Sequence, residues 1–284
     1  MTAQFHFIAG LPRSGSTLLG ALLRQNPAFH AGMTSPVGSL VGASVELMSA
    51  GREAAHLVTT DQKRQIVRGL FDSYYAGLAD TRVIFDTNRR WSAQLPLLVD
   101  LFPDCRVIAC VRDVPWVMDS IERLVRKNPY ENTRLFGAGD RGTVYSRTEA
   151  LARVNGLVGS AWTALKDGFY GEQSDRLLVI EYDLLARKPL DVLKLVYEFV
   201  GEPWWDGHDP DNVDYDAPEF DQALGVDGLH RVRPQVRFEP RRTILPPDVF
   251  AKYQEMTFWR ERAGTAASVV TASRKDGAAD TGGG

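Results

Sequence analysis

Cysteine is scarce in this 284-residue chain: only Cys105 and Cys110 are present. Both fall on or beside the run "CRVIACV", which reads as one strand. Their odd separation points them to opposite faces, so no disulfide between them is expected and a reducing compartment fits. An excess of either charge is also missing, with 33 Lys and Arg against 36 Asp and Glu and a net charge of −3. That balance argues against wholesale binding to nucleic acid or to an anionic membrane. No basic stretch followed by a long apolar run opens the sequence, and no apolar run reaches membrane-spanning length. The expectation is a cytoplasmic protein without an integral membrane segment. His and Cys nowhere cluster at metal-ligand spacing, so no metal is expected.

What is present is an alternation of strands and helices. Four short apolar runs read as strands: "FHFIA" from Phe5, "RVIFD" from Arg82, "RVIACV" from Arg106 and "LLVIEY" from Leu177. Their nearly unbroken apolar character is that of strands covered on both faces of a parallel sheet. Helical patterns separate them, among them "GSTLLGALLRQ", "QKRQIVRGLFDSYYAGLA", "WSAQLPLLVDLF", "VPWVMDSIERLVRK", a long stretch from Ser146 to Tyr170, and "PLDVLKLVYEFVG" with Pro at its start and Gly at its end. The fold class is therefore α/β: a doubly wound parallel sheet of the P-loop nucleotide-binding type, flanked by helices, in a single domain. From Glu202 to Pro247 periodicity is lost, as in a long functional loop. A last helix is expected in "PDVFAKYQEMTFWRERA". Residues 1–263 form the expected domain, and 264–284, rich in Ala, Gly, Ser and Thr, a disordered tail.

The first strand runs into "GLPRSGSTLL". Gly10 and Gly15 stand at P-loop spacing and Thr17 is in place, but Ser16 occupies the position of the P-loop Lys. Strand, glycine-rich loop and helix together make an anion cradle. The amides of Ser14, Gly15, Ser16 and Thr17 face along the helix dipole, and Arg13 supplies the cation. The competing reading is a polar turn capped by Ser14 or Ser16. A second anion site is suggested by "ACVRDVPWVMDSIERL". Arg112 ends a strand at the carboxyl rim, Asp113 is a candidate N-cap, and Ser120 lies two turns into the helix. Alone, Arg112 could equally pair with Asp113 or Asp119.

Together, "PRSGST" and "VRD" with Ser120 resemble the sulfotransferase family, in particular the tyrosylprotein sulfotransferases and related bacterial enzymes. "LFPDCRVIACVRDVPWVMDSI", and "VIEYDLLARKP" followed by "GEPW", extend the likeness over Phe5 to Val200 with interruptions. The resemblance implies that the first loop grips the 5′-phosphosulfate of 3′-phosphoadenosine 5′-phosphosulfate (PAPS). It implies that Arg112 and Ser120 bind the 3′-phosphate, and that a sulfuryl group passes in line, without metal, to an acceptor hydroxyl or amine, leaving PAP. Where the tyrosylprotein enzymes carry a Glu, this chain has Met33 and Thr34. Where the cytosolic enzymes place Lys and His, it reads "FDTNRRW", so Asp86 is the candidate base and Arg89 a second cation, with His30 and His230 as weaker candidates for the base. Two other readings stay open. "RVIFD" ending in Asp86 resembles the acidic strand serving Mg²⁺ in a small-molecule kinase that uses ATP, and a nucleotide-binding module without chemistry would need both anion sites and no transfer. Acceptor recognition is expected in Ala31–Arg52 and Lys127–Tyr145, with the Pro-rich stretch as a further candidate and Trp91, Trp116 and Tyr130 as candidate lining. The Arg-rich "HRVRPQVRFEPRR" covers the nucleotide, faces an acidic acceptor or is simply a solvated face.

Overall fold

The computed structural model describes residues 3–78, 81–127, 130, 135–218, 221–222 and 230–271. Six strands form one all-parallel sheet: β1 (Gln4–Gly10), β2 (Phe29–Ala31), β3 (Val83–Thr87), β4 (Val107–Val111), β5 (Leu177–Glu181) and β6 (Ser268–Val270). Their order is β2-β3-β1-β4-β5-β6. The four strands expected from apolar runs are the four central ones. Alternation along β1 shows why both faces had to be apolar. Phe5, Phe7 and Ala9 enter one core, and Ile8 enters the other. Along β4, Val107, Ala109 and Val111 go to the first core, and Ile108 and Cys110 to the second.

The first core lies under α2 (Val37–Leu47), α3 (Thr60–Tyr74), α4 (Leu95–Leu101), α5 (Val114–Lys127), α6 (Val144–Ala152), α7 (Leu157–Tyr170) and α10 (Pro247–Lys252). The second lies under α1 (Ser16–Leu23), α8 (Tyr182–Arg187) and α9 (Pro189–Val200). Cys105 sits in the first core and Cys110 in the second, both buried as free thiols whose pKa burial raises, to about 11 and about 12. No helix among the described residues is long and apolar enough to cross a membrane.

Several boundaries differ from expectation. The stretch from Ser146 to Tyr170 is two helices, broken where Arg153 leaves helical geometry and Gly156 opens the next helix. The expected last helix stops at Lys252, and Phe258–Arg260 is a separate 3-10 turn. The expected tail is corrected at its start: Ser268–Val270 is β6, in register with Leu178–Ile180, so the sheet extends past Gly264. Residues 272–284 of that tail lie outside the described residues, as do 128–129 and 131–134 of the expected acceptor segment.

The strand order places the chemistry. Successive connections go left from β1 to β2 and right from β3 to β4, so the sheet reverses direction between β1 and β4. In doubly wound sheets a ligand lies outside the carboxyl ends of the strands at such a reversal. The loop after β1 and the residues after β4 flank that point on two directly paired strands.

Candidate functional site

The loop after β1 has the conformation of an anion cradle. Gly10 takes φ 110, and a Cβ there would lie 2.0 Å from the carbonyl oxygen of Cys110. Arg13 is the one non-glycine residue with positive φ among the described residues, at 59°. Gly15 is the N-cap of α1 at φ 94, and a Cβ on it would meet the Tyr182 ring at 2.8 Å. No side chain caps α1. Ser14 is buried with its hydroxyl turned to the carbonyl of Pro12, 3.4 Å away. The reading as a turn capped by Ser14 or Ser16 therefore does not hold, and the first amides of α1 are left to an external acceptor.

The second motif joins the first. The Nε of Arg13 donates to the hydroxyl of Ser120 on α5 at 3.2 Å. Arg112, just past β4, lies over the ring of Tyr182 at 4.4 Å and faces Asp183 at 3.6 Å, too far for a hydrogen bond. Its Nε is buried and makes no hydrogen bond, and the same is true of the Asp183 Oδ1. The two atoms face each other as an ion pair without a hydrogen bond, which leaves the Arg112 Nε a donor to offer. Arg112 pairs with neither Asp113 nor Asp119. Asp113 stands at the N-cap position of α5, its carbonyl accepting from the Val117 amide at 3.2 Å, while its carboxylate accepts from Arg260 at 2.6 Å.

A third guanidinium arrives from the aperiodic stretch. Asp119 is fully buried, accepts from Arg123 at 2.9 Å, Thr243 Oγ1 at 3.1 Å and the Ile244 amide at 2.7 Å, and is ion-paired with Arg241 at 2.9 Å. This carboxylate latches residues 241–244 onto α5 and sets Arg241 beside Trp116. Burial holds Arg13 below the usual guanidinium range, with Arg241 and Arg112 pressing in the same direction. Burial does the same to Arg241, again with Arg112 adding to it. Cations crowded in this way gain most from a bound anion. Of the Arg-rich run, Arg241 is thus the residue that turns inward, whereas Arg231 and Arg233 pair with Asp216 and Glu239 in open solvent. The sequence marked the segment but not the residue.

On the other half of the rim, beyond β2 and β3, the expectations need correcting. Asp86 is fully buried. Its Oδ2 accepts from Ser35 at 2.5 Å and Tyr75 at 2.6 Å, and its Oδ1 from Trp91 at 2.7 Å. Burial raises its pKa against the pull of these three donors. A carboxylate so enclosed cannot reach an acceptor hydroxyl. It fastens the loop after β2 to α3 and to the turn after β3. Trp91 is likewise core, Trp116 lies on the Arg112 side, and Tyr130 is fully exposed. Arg89 stands at the end of β3, reached by solvent but walled by protein. It makes no hydrogen bond or ion pair among the described residues, and burial together with Arg90 lowers its pKa. His30 sits on β2 with its ring against Tyr75. His230 has acquired a partner that the sequence did not suggest, the buried carboxylate of Asp221 at 2.5 Å. Among the described residues no three His, Cys, Asp or Glu side chains gather as metal ligands.

Residues 6–206 match the model of the sulfotransferase family. No curated protein matches the sequence significantly. Among solved structures, the sulfotransferase domain from the curacin biosynthetic pathway is similar at 16% identity and TM-score 0.50, over 90% of this chain and 92% of that one. A sulfotransferase from Alicyclobacillus acidocaldarius is similar at 15% identity and TM-score 0.48, over 92% and 96%. The mouse sulfotransferase SULT7A1, solved in complex with PAP, is similar at 14% identity and TM-score 0.48, over 93% and 86%.

Proposed function

The chain belongs to the sulfotransferase family, and we propose that its sulfuryl donor is PAPS, held across the ends of β1 and β4 and used without a metal ion. The observation that carries this reading is the Arg13–Ser120 hydrogen bond, which fuses two anion sites into one elongated cradle. Bound PAPS would supply the transferable sulfuryl group and a phosphate to leave on. The amides from Ser14 to Thr17 and the Arg13 guanidinium face the 5′ end, where charge grows on the leaving oxygen as the bond to sulfur breaks. Arg112, Ser120 and Arg241 face the 3′-phosphate, whose double charge suits their crowded and partly unsatisfied state. Arg89, on the acceptor half, is the remaining cation within the rim. In-line transfer needs chiefly this positioning and neutralisation.

A kinase reading is less well supported. Ser16 replaces the Lys that reaches the β- and γ-phosphates, and Asp86, the sequence's candidate to serve Mg²⁺, is enclosed by three donors. Calorimetric titration with PAP and with ATP, each with and without Mg²⁺, tests the donor. Metal-independent binding of PAP that is much tighter than binding of ATP is expected. Preference for ATP with Mg²⁺ would reject PAPS as the donor.

A further inference from the structure

Enclosure of Asp86 leaves transfer without a group to receive the acceptor's proton. We infer that His230, oriented by Asp221, is that base. The inference rests on the sulfotransferase reading above.

The local geometry is that of an oriented imidazole. Asp221 is 1% exposed and spends both oxygens on one residue. Its Oδ1 meets the His230 Nδ1 at 2.5 Å, and its Oδ2 accepts from the His230 amide at 2.9 Å. A carboxylate accepts only, so the Nδ1 must carry the hydrogen and the lone pair stands on Nε2. The pair of bonds also fixes the ring's direction, which a lone surface His lacks. The side chain keeps 16% of its exposure, enough to meet a ligand and far too little for a solvated surface residue.

The position is set by backbone contacts. Val232, two residues on, donates its amide to the carbonyl of Tyr215 at 3.0 Å. The Tyr215 hydroxyl in turn accepts from the Met33 amide at 2.8 Å, and its ring lies under Arg24 of the α1 terminus. Met33 follows β2, on the acceptor half. Toward the donor half, the charge of Asp221 is felt at Arg13, where it opposes the lowering by burial. The dyad therefore stands between the cradle loop and the loop after β2, at the junction where donor and acceptor must meet. Met33 and Thr34 replace the acidic residue expected near this junction, so a base delivered from another element fills a real gap.

The step balances as follows. The Nε2 lone pair takes the acceptor's O–H proton while the acceptor oxygen bonds to sulfur. The bond between sulfur and the bridging oxygen breaks, and its electron pair leaves on that oxygen, next to Arg13 and the amides of α1. His230 ends as an imidazolium held against the Asp221 carboxylate. Asp221 itself is a positioning residue.

The test uses the full chain with radiolabelled PAPS and a series of phenols of graded acidity, with water as acceptor (sulfate release) where no phenol is taken. His230→Ala is expected to lower turnover by about 10²- to 10⁴-fold, the usual worth of a general base. The loss should shrink for p-nitrophenol, which is ionised at assay pH, and added imidazole should restore part of the rate. PAP affinity, measured on the same preparations, should change less than twofold, which also establishes that the variant is folded. Asp221→Asn should lower kcat more than it changes the KM for PAPS, and nitrogen NMR of the His230 ring should show the tautomer shifting. Retention of turnover within threefold in His230→Ala overturns the assignment. So does an equal loss across the phenol and water series without imidazole rescue. Failure of wild-type protein to bind PAP would reject the donor reading instead.

Discussion

The two halves of the carboxyl rim handle their polar side chains in opposite ways. On the side of β1, β4 and β5, cations converge: Arg112 has a buried Nε without a hydrogen bond, and Arg13 and Arg241 are pressed together. On the side of β2 and β3, the buried carboxylate is satisfied by its neighbours, while Arg89 stands apart from them. Asp86, Ser35, Tyr75 and Trp91 close into a buried network in which three donors meet the carboxylate. Unsatisfied buried polarity is tolerated where a ligand completes it, and a completed network is scaffolding. The difference sets a half rich in converging cations apart from a half whose carboxylate is enclosed by its neighbours.

Arg13→Ala should break the first half most severely, because Arg13 touches both anion sites. Loss of its charge-assisted bonds should cost about 3 kcal/mol of PAP binding, on the order of 100-fold in Kd by calorimetry. Arg241→Ala, which removes a guanidinium that only borders the cradle, should cost roughly tenfold. On the second half, Asp86→Asn places an amide donor among three donors and should lower unfolding stability by about 2 kcal/mol in denaturant titration, while PAP affinity stays within twofold. Unchanged stability with abolished turnover would instead return Asp86 to the role of base.

The smallest effect separates both halves from the rest of the fold. His6 is fully buried at the far end of β1, its Nδ1 accepting from the Arg106 amide at 3.0 Å. Burial, helped by Arg106, lowers its pKa to about 4. The unfolded chain then binds a proton below pH 6.5 that the folded chain refuses until about 4, so stability falls as pH falls through that window. The loss should reach about 1 kcal/mol by pH 5.5 and should be flattened in His6→Gln, with PAP binding at neutral pH unchanged.

Much of this arrangement could be read in the residues. The central strands are legible because burial on both faces demands unbroken apolar runs, and the cradle because Gly10 and Gly15 answer to backbone geometry that no other residue meets. β2 and β6 are three residues each, too short for any periodicity to show. In α2, Gly38, Ser39, Gly42 and Ser44 dilute the helical signal within the expected acceptor segment. Asp86 misleads for a different reason. An acidic residue at a strand end looks the same whether it meets a ligand or a neighbour, and only burial distinguishes the two. Arg241, and Asp221 beside His230, lie in a stretch without period, whose path is fixed by contacts distant in sequence, such as Ile244 to Asp119.

Titrating PAP and AMP into wild-type protein and into Arg112→Ala asks most directly whether the two motifs form one donor site. The prediction is that wild type prefers PAP over AMP by at least about 30-fold, as roughly 2 kcal/mol of 3′-phosphate recognition implies, and that Arg112→Ala removes most of this preference while binding AMP nearly as well as before. An equal loss for both ligands, or no preference in wild type, would contradict it.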